Sequence, residues 1–182
     1  MTEELYISVD IEASGPIPGE YSMLSIGASI IGKPENSFYA ELQPLNENAV
    51  AEAMEVSMLD LKTLEKTGKT PQVVMSEFRD WVQAMAGERK PVFVGFNASF
   101  DWSFVNWYFH KFLGGNPFGF GAVDIKAFYM GFSNCLWRQT TSSQLPDEFQ
   151  PDQPATHNAL DDARAQGKIF GKLLKAQGRP IS

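Results

Sequence analysis

Cysteine is nearly absent from this chain of 182 residues, which contains Cys135 alone. A single cysteine excludes an intrachain disulfide and a metal cluster built on several thiolates. Because disulfides persist mainly in oxidising compartments, their exclusion favours a reducing cytoplasm. The fold must therefore rest on a hydrophobic core, and the length is enough for one domain over residues 1–182.

Long apolar runs are also missing. No stretch approaches the roughly 20 apolar residues that a membrane-spanning helix needs. The chain starts with Met1-Thr2-Glu3-Glu4, which is acidic where a signal peptide is basic. We therefore expect no membrane partner and a cytoplasmic location.

Basic residues are scarce in the first third of the chain. Residues 1–60 contain eleven acids and one base, Lys33, which gives a formal charge of −10, whereas residues 61–182 carry +3. Proteins that wrap long nucleic acids are usually basic, because phosphate neutralisation drives their binding. A nucleic-acid partner of this chain is therefore expected to have a small footprint or to meet a local basic patch.

Hydrophobic periodicity predicts strands first, and then strands alternating with helices. The predicted strands are residues 5–12, 23–31, 37–42, 91–96 and 118–125. The predicted helices are residues 58–66 capped by Ser57, 71–86, a helix to residue 113 capped by Asn97 or Ser99, 126–132 and 158–176. A long loop is predicted over residues 133–156. This order indicates an α/β domain with a mixed sheet, whose first three strands form an antiparallel meander.

Two carboxylates share one face of the first predicted strand. Asp10 and Glu12 alternate with Val9 and Ile11, so their Cα atoms lie about 6.5–7 Å apart on the face opposite the apolar one. Two anions so close repel each other, and a divalent cation bound by oxygen ligands would explain the pair. A strand that ends in two solvated acids is the alternative at this point.

A third acid, Asp101, falls in the first turn of the helix that follows the strand of residues 91–96. That turn lies at the carboxyl end of a strand, which is where α/β folds build their sites. The alternative is that Asp101 only interacts favourably with the helix dipole.

The start of the last helix holds two adjacent acids behind a histidine. Asn158 and Asp161 are spaced as in a capping box, which explains Asp161 structurally. Asp162 is not needed for that cap, and His157 lies just before the helix. Histidine titrates near neutral pH and can accept the proton of an attacking water.

Together these residues suggest metal-assisted phosphoryl chemistry. Four carboxylates can hold two divalent cations about 4 Å apart, which is the arrangement that stabilises a phosphoryl displacement. The four candidates are Asp10, Glu12, Asp101 and Asp162, with His157 as the candidate base.

At these positions the chain resembles the DEDDh 3′–5′ exonucleases of the ribonuclease-H-like fold. That group includes the proofreading exonuclease of bacterial replicative polymerases, ribonuclease T and oligoribonuclease. The motifs that carry the resemblance are Asp10-Ile11-Glu12-Ala13-Ser14-Gly15 with Met23-Leu24-Ser25-Ile26-Gly27-Ala28, then Asn97-Ala98-Ser99-Phe100-Asp101, then His157-Asn158-Ala159-Leu160-Asp161-Asp162-Ala163.

The resemblance implies a mixed five-stranded sheet, with its first three strands antiparallel and helices on both faces. It implies that the four acids bind two Mg²⁺ or Mn²⁺ ions and that His157 is the general base. The reaction would hydrolyse the terminal phosphodiester at the 3′ end of single-stranded DNA or RNA, releasing nucleoside 5′-monophosphates. By the same resemblance, a homodimer is an option, and the substrate-binding positions would be Ala13, Met23 and Asn97.

Several positions depart from the family pattern. Ala13 stands where many members carry threonine, and Ser25 and Phe96 replace a common glutamate and histidine. The departures leave the metal ligands and the base intact, so two alternatives stay open beside the exonuclease. One is an oligoribonuclease-like enzyme restricted to short RNA, which the acidic surface favours; the other is a non-catalytic interaction module on the same fold.

Overall fold

The protein is described by a computed structural model that covers residues 3–150 and 156–179. Its centre is a five-stranded sheet in the order β3-β2-β1-β4-β5. The strands are β1 (Glu4–Ala13), β2 (Met23–Ile30), β3 (Lys33–Glu41), β4 (Lys90–Gly95) and β5 (Ala122–Asp124). The first three strands pair antiparallel, and β4 pairs parallel with both β1 and β5. The predicted mixed five-stranded sheet is confirmed.

Helices lie on both faces of the sheet. They are α1 (Ala51–Ser57), α2 (Leu61–Thr67), α3 (Pro71–Ala86), α4 (Ser99–Leu113), α5 (Ile125–Ser133) and α6 (Ala159–Ala176). Within the described residues, no helix is long and apolar enough to cross a membrane.

The alternation along β1 divides the core into two clusters. Leu5, Ile7 and Val9 point to one face and pack with apolar residues of α3 and α4. On the other face, Tyr6 packs with a second cluster built from α5 and α6. Because Asp10 and Glu12 continue the even-numbered face of β1, their side chains point towards the side that α6 covers.

The predicted elements differ from the observed ones chiefly at their ends. Strand β3 begins at Lys33, four residues before the predicted start at residue 37, and the chain reverses tightly at Gly32, whose φ is +88°. Strand β5 has only three residues where eight were predicted. The predicted run is interrupted at Gly119, whose φ is +82°, and the strand ends at Asp124, which caps helix α5.

Two predicted caps are also wrong. Helix α2 is capped by Asp60, whose carboxylate accepts the Thr63 amide at 2.8 Å, rather than by Ser57, which ends the unpredicted helix α1. Neither Asn97 nor Ser99 caps α4, which begins after Ala98 without a side-chain cap. The predicted loop over residues 133–156 contains two short 3₁₀ helices, Trp137–Gln139 and Ser142–Gln144, and its residues 151–155 lie outside the described part.

Candidate active site

The site begins at the carboxyl end of β1. Asp10 lies opposite Gly27 of β2, and Glu12 lies opposite Ser25, just before the pairing register shifts between Glu12 and Ala13. Both carboxylates are half-buried. The two acids that the sequence predicts to share a strand face therefore do so at the edge where the sheet ends.

Helix α4 brings Asp101 to the same edge. Asp101 is only 5% exposed, and its Oδ1 accepts the backbone amide of Ile11 at 3.1 Å. Because Ile11 separates Asp10 from Glu12, this hydrogen bond fixes the first turn of α4 against the acidic end of β1. The predicted placement of Asp101 beside the strand pair is confirmed in geometry.

Helix α6 reaches the site by packing its first turn directly on β2. A Cβ atom at Gly27 would lie 2.2 Å from the carbonyl carbon of Ala159 and 2.3 Å from the amide nitrogen of Leu160. Since real Cβ contacts are never so short, only glycine allows the helix backbone this close to the strand. Gly27 faces Asp10 across the strand pair, so the approach of α6 brings Asp162 over the carboxylates of β1.

Asp162 holds the segment that precedes α6. Its two carboxylate oxygens accept the amides of Thr156 and His157, at 2.9 and 3.1 Å. His157 itself has a positive φ of 57°, an uncommon conformation for a residue other than glycine. The hydrogen bonds therefore hold His157 at a fixed place directly before the helix.

The side chains of Glu12, His157 and Asp162 meet at one point. One ligand-capable atom from each of the three lies within 4.8 Å of the other two. Carboxylate oxygens are the ligands that Mg²⁺ and Mn²⁺ prefer, and the half-buried Asp10 and buried Asp101 adjoin this group. The donor set therefore fits hard divalent cations.

The carboxylates of the site have raised pKa values. Burial, followed by the neighbouring Asp101, Glu12 and Asp162 carboxylates, raises the pKa of Asp10 well above its usual range. Burial, with a further contribution from Asp162, raises the pKa of Glu12 to about 7. Burial is also the main reason why the pKa of Asp101 rises to about 7, against two backbone hydrogen bonds that lower it. These shifts make the protonated forms of the three carboxylates more populated near neutral pH than those of ordinary acids.

The Asp161 carboxylate does not accept the Asn158 amide, as a capping box would require. Asn158 caps α6, because its Oδ1 accepts the amides of Leu160 and Asp161 at 3.1 and 3.3 Å. The reciprocal bond is made by Thr156, whose Oγ1 accepts the Asn158 amide, while the exposed Asp161 carboxylate lies 3.6 Å from Arg164. The prediction of the cap is confirmed, and the prediction of a capping carboxylate at Asp161 is wrong.

The three positions predicted to bind substrate are not alike. Asn97 is exposed, directly after β4, with a φ of +66°. Ala13 and Met23 lie in the core, and the Met23 amide donates to the buried Tyr108 hydroxyl at 2.7 Å. Substrate contact stays a prediction for all three, and the side chain of Met23 is fully enclosed.

Two residues that support the site were not predicted. Gln166, one turn after Asp162, is buried and joins two strands: its Oε1 accepts the Phe96 amide and its Nε2 donates to the Val9 carbonyl at 2.9 Å. Asp124 accepts the Ala98 amide at 2.6 Å and the Ala127 amide at 2.7 Å. A glutamine inside the apolar stripe of α6 was the sequence signal for the first; Asp124 had none beyond its place after an apolar run.

Comparison with known proteins gives consistent matches. A profile of the RNase T family, described as exonuclease, matches residues 7–170. The 3′-5′ DNA exonuclease Cap18 of Escherichia coli is 48% identical over 174 residues, which cover 95% of this chain and 93% of that protein.

Solved structures with low sequence identity share the fold. The nuclease domain of 3′hExo, a DEDDh family member bound to rAMP, has a TM-score of 0.75 at 13% identity, covering 94% of this chain and 92% of that one. Escherichia coli Exonuclease I in complex with a dA16 oligonucleotide has a TM-score of 0.65 at 13% identity, covering 96% of this chain and 41% of that one.

Proposed function

The chain belongs to the RNase T family of exonucleases and is a 3′–5′ exonuclease, and from this premise we propose that it shortens single-stranded DNA from the 3′ end and releases nucleoside 5′-monophosphates. The observation that carries the proposal is the meeting of Glu12, His157 and Asp162 within 4.8 Å beside Asp10 and Asp101. DNA is the proposed polymer because the relative with 48% identity is named as a DNA exonuclease.

In the proposed mechanism, Asp10, Glu12, Asp101 and Asp162 hold two divalent cations, Mg²⁺ or Mn²⁺. When bound, the cations stabilise negative charge on the attacking and leaving oxygens of the displacement. The carboxylates would supply oxygen ligands. Burial first, and then the neighbouring carboxylates, raises the pKa of Asp10, and positive charge between the acids would offset that repulsion.

His157 is the proposed general base. It lies on the exposed side of the group. The hydrogen bond from its amide to Asp162 fixes its backbone, and its side chain is open to solvent. A neutral imidazole there accepts a proton from the attacking water. Asn97, exposed beside the site, is the proposed contact to the terminal nucleotide.

Two further proposals concern the whole protein. We propose that residues 1–182 form a single domain, which their length allows. We also propose that the protein works in a reducing cytoplasm, which agrees with its single cysteine. Sedimentation velocity distinguishes a homodimer from a monomer.

A substrate panel tests the proposed function. Single-stranded 20-mers of DNA and RNA and a dinucleotide are incubated with Mg²⁺, with Mn²⁺ and with EDTA. We expect the DNA 20-mer to be shortened from its 3′ end only when a metal is present. Preference for the dinucleotide would instead support the oligoribonuclease-like alternative, and binding without hydrolysis would support the interaction module.

A further inference from the structure

An aromatic hollow lies beside the start of α4, and apart from Asn97 its residues have no part in the mechanism above. We use this name for the depression between the start of α4, the loop before β5 and the first 3₁₀ helix. Its volume is about 460 Å³, and its walls include Asn97, Trp102, Phe120, Asp124 and Trp137. Two residues of its wall, Asn97 and Ser99, precede Asp101 of the acidic site by four and two residues at the start of α4, so the hollow adjoins that site.

Phe120 is the most unusual residue of the hollow. Its side chain is 95% exposed, between Gly119, whose φ is +82°, and Gly121. Enclosing a phenylalanine side chain stabilises a protein by about 1.5–3 kcal/mol, so a ring left fully in water contributes nothing of this to folding. Large exposed apolar groups in a cluster mark binding surfaces.

Trp137 supplies a second open ring. It is 49% exposed, and the Lys126 ammonium lies over one of its faces, 4.3 Å from the ring centroid. The cation places a positive charge at the rim of the hollow. An aromatic face beside a cation suits a ligand that alternates flat bases with phosphates.

The hollow has a rigid foundation. The Asp124 carboxylate accepts the amides of Ala98 and Ala127, so it ties the start of α4 to the start of α5. Both of its oxygens are thus engaged by backbone amides. The Trp102 ring is held edge-on against Phe93 of the core, with centroids 5.2 Å apart. The walls are therefore fixed, while the rings of Phe120 and Trp137 remain open.

The position of the hollow follows from the sheet. Strands β1, β4 and β5 are parallel neighbours, so their carboxyl ends meet at one edge. Asp10 and Glu12 end β1, Asn97 follows β4, and Asp124 ends β5. A strand whose terminal phosphodiester lies at the acids and which runs along this edge passes over the hollow.

We propose that the aromatic hollow is a stacking subsite for bases of a single strand upstream of the scissile phosphodiester, with Phe120 and Trp137 as its stacking residues. The inference rests on the proposed function and adds to it that the enzyme selects strands longer than the terminal nucleotide. Stacking accepts every base, so the subsite gives length preference rather than sequence preference.

The test compares two substrates that differ in the upstream strand. One is a 20-mer of deoxythymidylate; the other is the p-nitrophenyl ester of thymidine 5′-monophosphate, which has no upstream base. We expect Phe120→Leu and Trp137→Ala each to lower the ratio of kcat/KM for the 20-mer to kcat/KM for the ester about tenfold, since one base stack is worth roughly that factor. The loss should lie in KM for the 20-mer.

Phe120→Tyr is the matched variant, because it keeps the ring and should retain the wild-type ratio. Met58→Ala, at a side chain that is 74% exposed outside the hollow, controls for loss of a surface apolar group. An unchanged ratio in both Phe120→Leu and Trp137→Ala would overturn the subsite. A changed dimerisation equilibrium with an unchanged ratio would do so as well, and would make the hollow a protein interface. A wild-type protein that hydrolyses neither substrate would overturn the proposed function and the subsite with it.

Discussion

Asp101 is the residue whose place at the site depends most on the folded chain. It comes 91 residues after Asp10, and its carboxylate accepts a hydrogen bond from the amide of Ile11, the residue next to Asp10. The sequence predicted that meeting because the carboxyl end of a strand and the first turn of the next helix share one edge of the sheet. It did not predict the burial of Asp101, which depends on how closely α4 packs on β1.

The proposed role of His157 as general base can be tested separately from the metal-binding role of the acids. We expect His157→Ala to lower the single-turnover rate by about 10²–10⁴, the usual effect of losing a general base. Calorimetric titration should still show two Mn²⁺ ions bound with nearly wild-type affinity. The control is His110→Ala, because His110 is the other histidine of the chain and lies exposed on α4.

The Mn²⁺ titration of His157→Ala can also contradict this role, because the imidazole ring lies near the acids. His157 has a nitrogen within 4.8 Å of carboxylate oxygens of Glu12 and Asp162. Loss of one Mn²⁺ from His157→Ala would make the histidine a metal ligand rather than the base. Normal turnover in the variant would leave it without either role.

Asp161 and Asp162 are adjacent acids with different surroundings. Asp161 is exposed and lies near Arg164, whereas Asp162 faces Glu12 and His157. We expect Asp161→Asn to keep activity within about twofold, since a surface ion pair contributes little, and Asp162→Asn to abolish it. Steady-state kinetics on a DNA 20-mer make the comparison. Inactivity of Asp161→Asn beside an active Asp162→Asn would reverse the assignment.

At the scale of elements, α6 is the helix on which the site depends. Its first turn rests on Gly27, and its Gln166 joins β1 to β4. The apolar stripe and the Asn158 cap were sufficient to predict the helix and its start. The contact with Gly27 could not be predicted from the sequence. The residues of β2 do not indicate that a helix backbone packs so closely on Gly27 that only glycine fits there.

Gly27→Ala tests this contact. The added methyl group meets helix backbone, which cannot move aside as a flexible side chain would. We expect a loss of about 2–3 kcal/mol in the free energy of unfolding, at the upper end for overpacking, and a large loss of activity as Asp162 moves away. Urea unfolding and kinetics measure the two effects.

Gly131→Ala is the matched control for that substitution. Gly131 lies in α5, and a Cβ atom there meets nothing within 4 Å. Replacing a helical glycine in open space should stabilise the protein by about 0.5–1 kcal/mol. Equal stability of the Gly27→Ala and Gly131→Ala proteins would refute the close contact between α6 and β2.

Errors in the predicted elements have local causes. Ser57 and Asp60 are both capping residues in sequence, and only the fold decided that Ser57 ends α1 while Asp60 begins α2. The apolar run before Asp124 suggested a strand of eight residues, but Gly119, with a φ of +82°, interrupts the run, and Asp124 ends it by capping α5. Periodicity predicts that an element exists, and tertiary neighbours determine where it stops.

At the scale of the whole molecule, the site gathers acids from three elements that are far apart in the chain, β1, α4 and α6. The first 60 residues carry −10, and they include Asp10 and Glu12. The folded protein therefore brings together carboxylates that are apart in the unfolded chain. Burial and mutual repulsion raise the pKa values of Asp10, Glu12 and Asp101, so the metal-free protein is stabilised by protons at these positions.

The stability of the metal-free protein should therefore fall as pH rises. The pKa of Glu12 is raised from an ordinary 4.5 to about 7, so the stabilising contribution of its proton is complete below about 4.5 and is lost as pH rises through 7. We expect the Tm measured in EDTA to decrease between pH 5 and 8, and saturating Mg²⁺ to remove most of the decrease. A Tm in EDTA that rises over that range would contradict the raised pKa values.

The most direct test of the account uses Asp10→Asn, which keeps the shape of the side chain and removes its charge. A 5′-labelled single-stranded DNA 20-mer is incubated with Mg²⁺ and either protein, and the products are resolved by gel and chromatography. The account predicts that the wild type gives a ladder that shortens from the 3′ end together with nucleoside 5′-monophosphates. It predicts no ladder with Asp10→Asn, although that protein folds and melts at a higher temperature than the wild type in EDTA at pH 8. Activity of Asp10→Asn within tenfold of wild type would contradict the metal-binding role of the acids, and internal fragments in the wild-type reaction would contradict cleavage from the 3′ end.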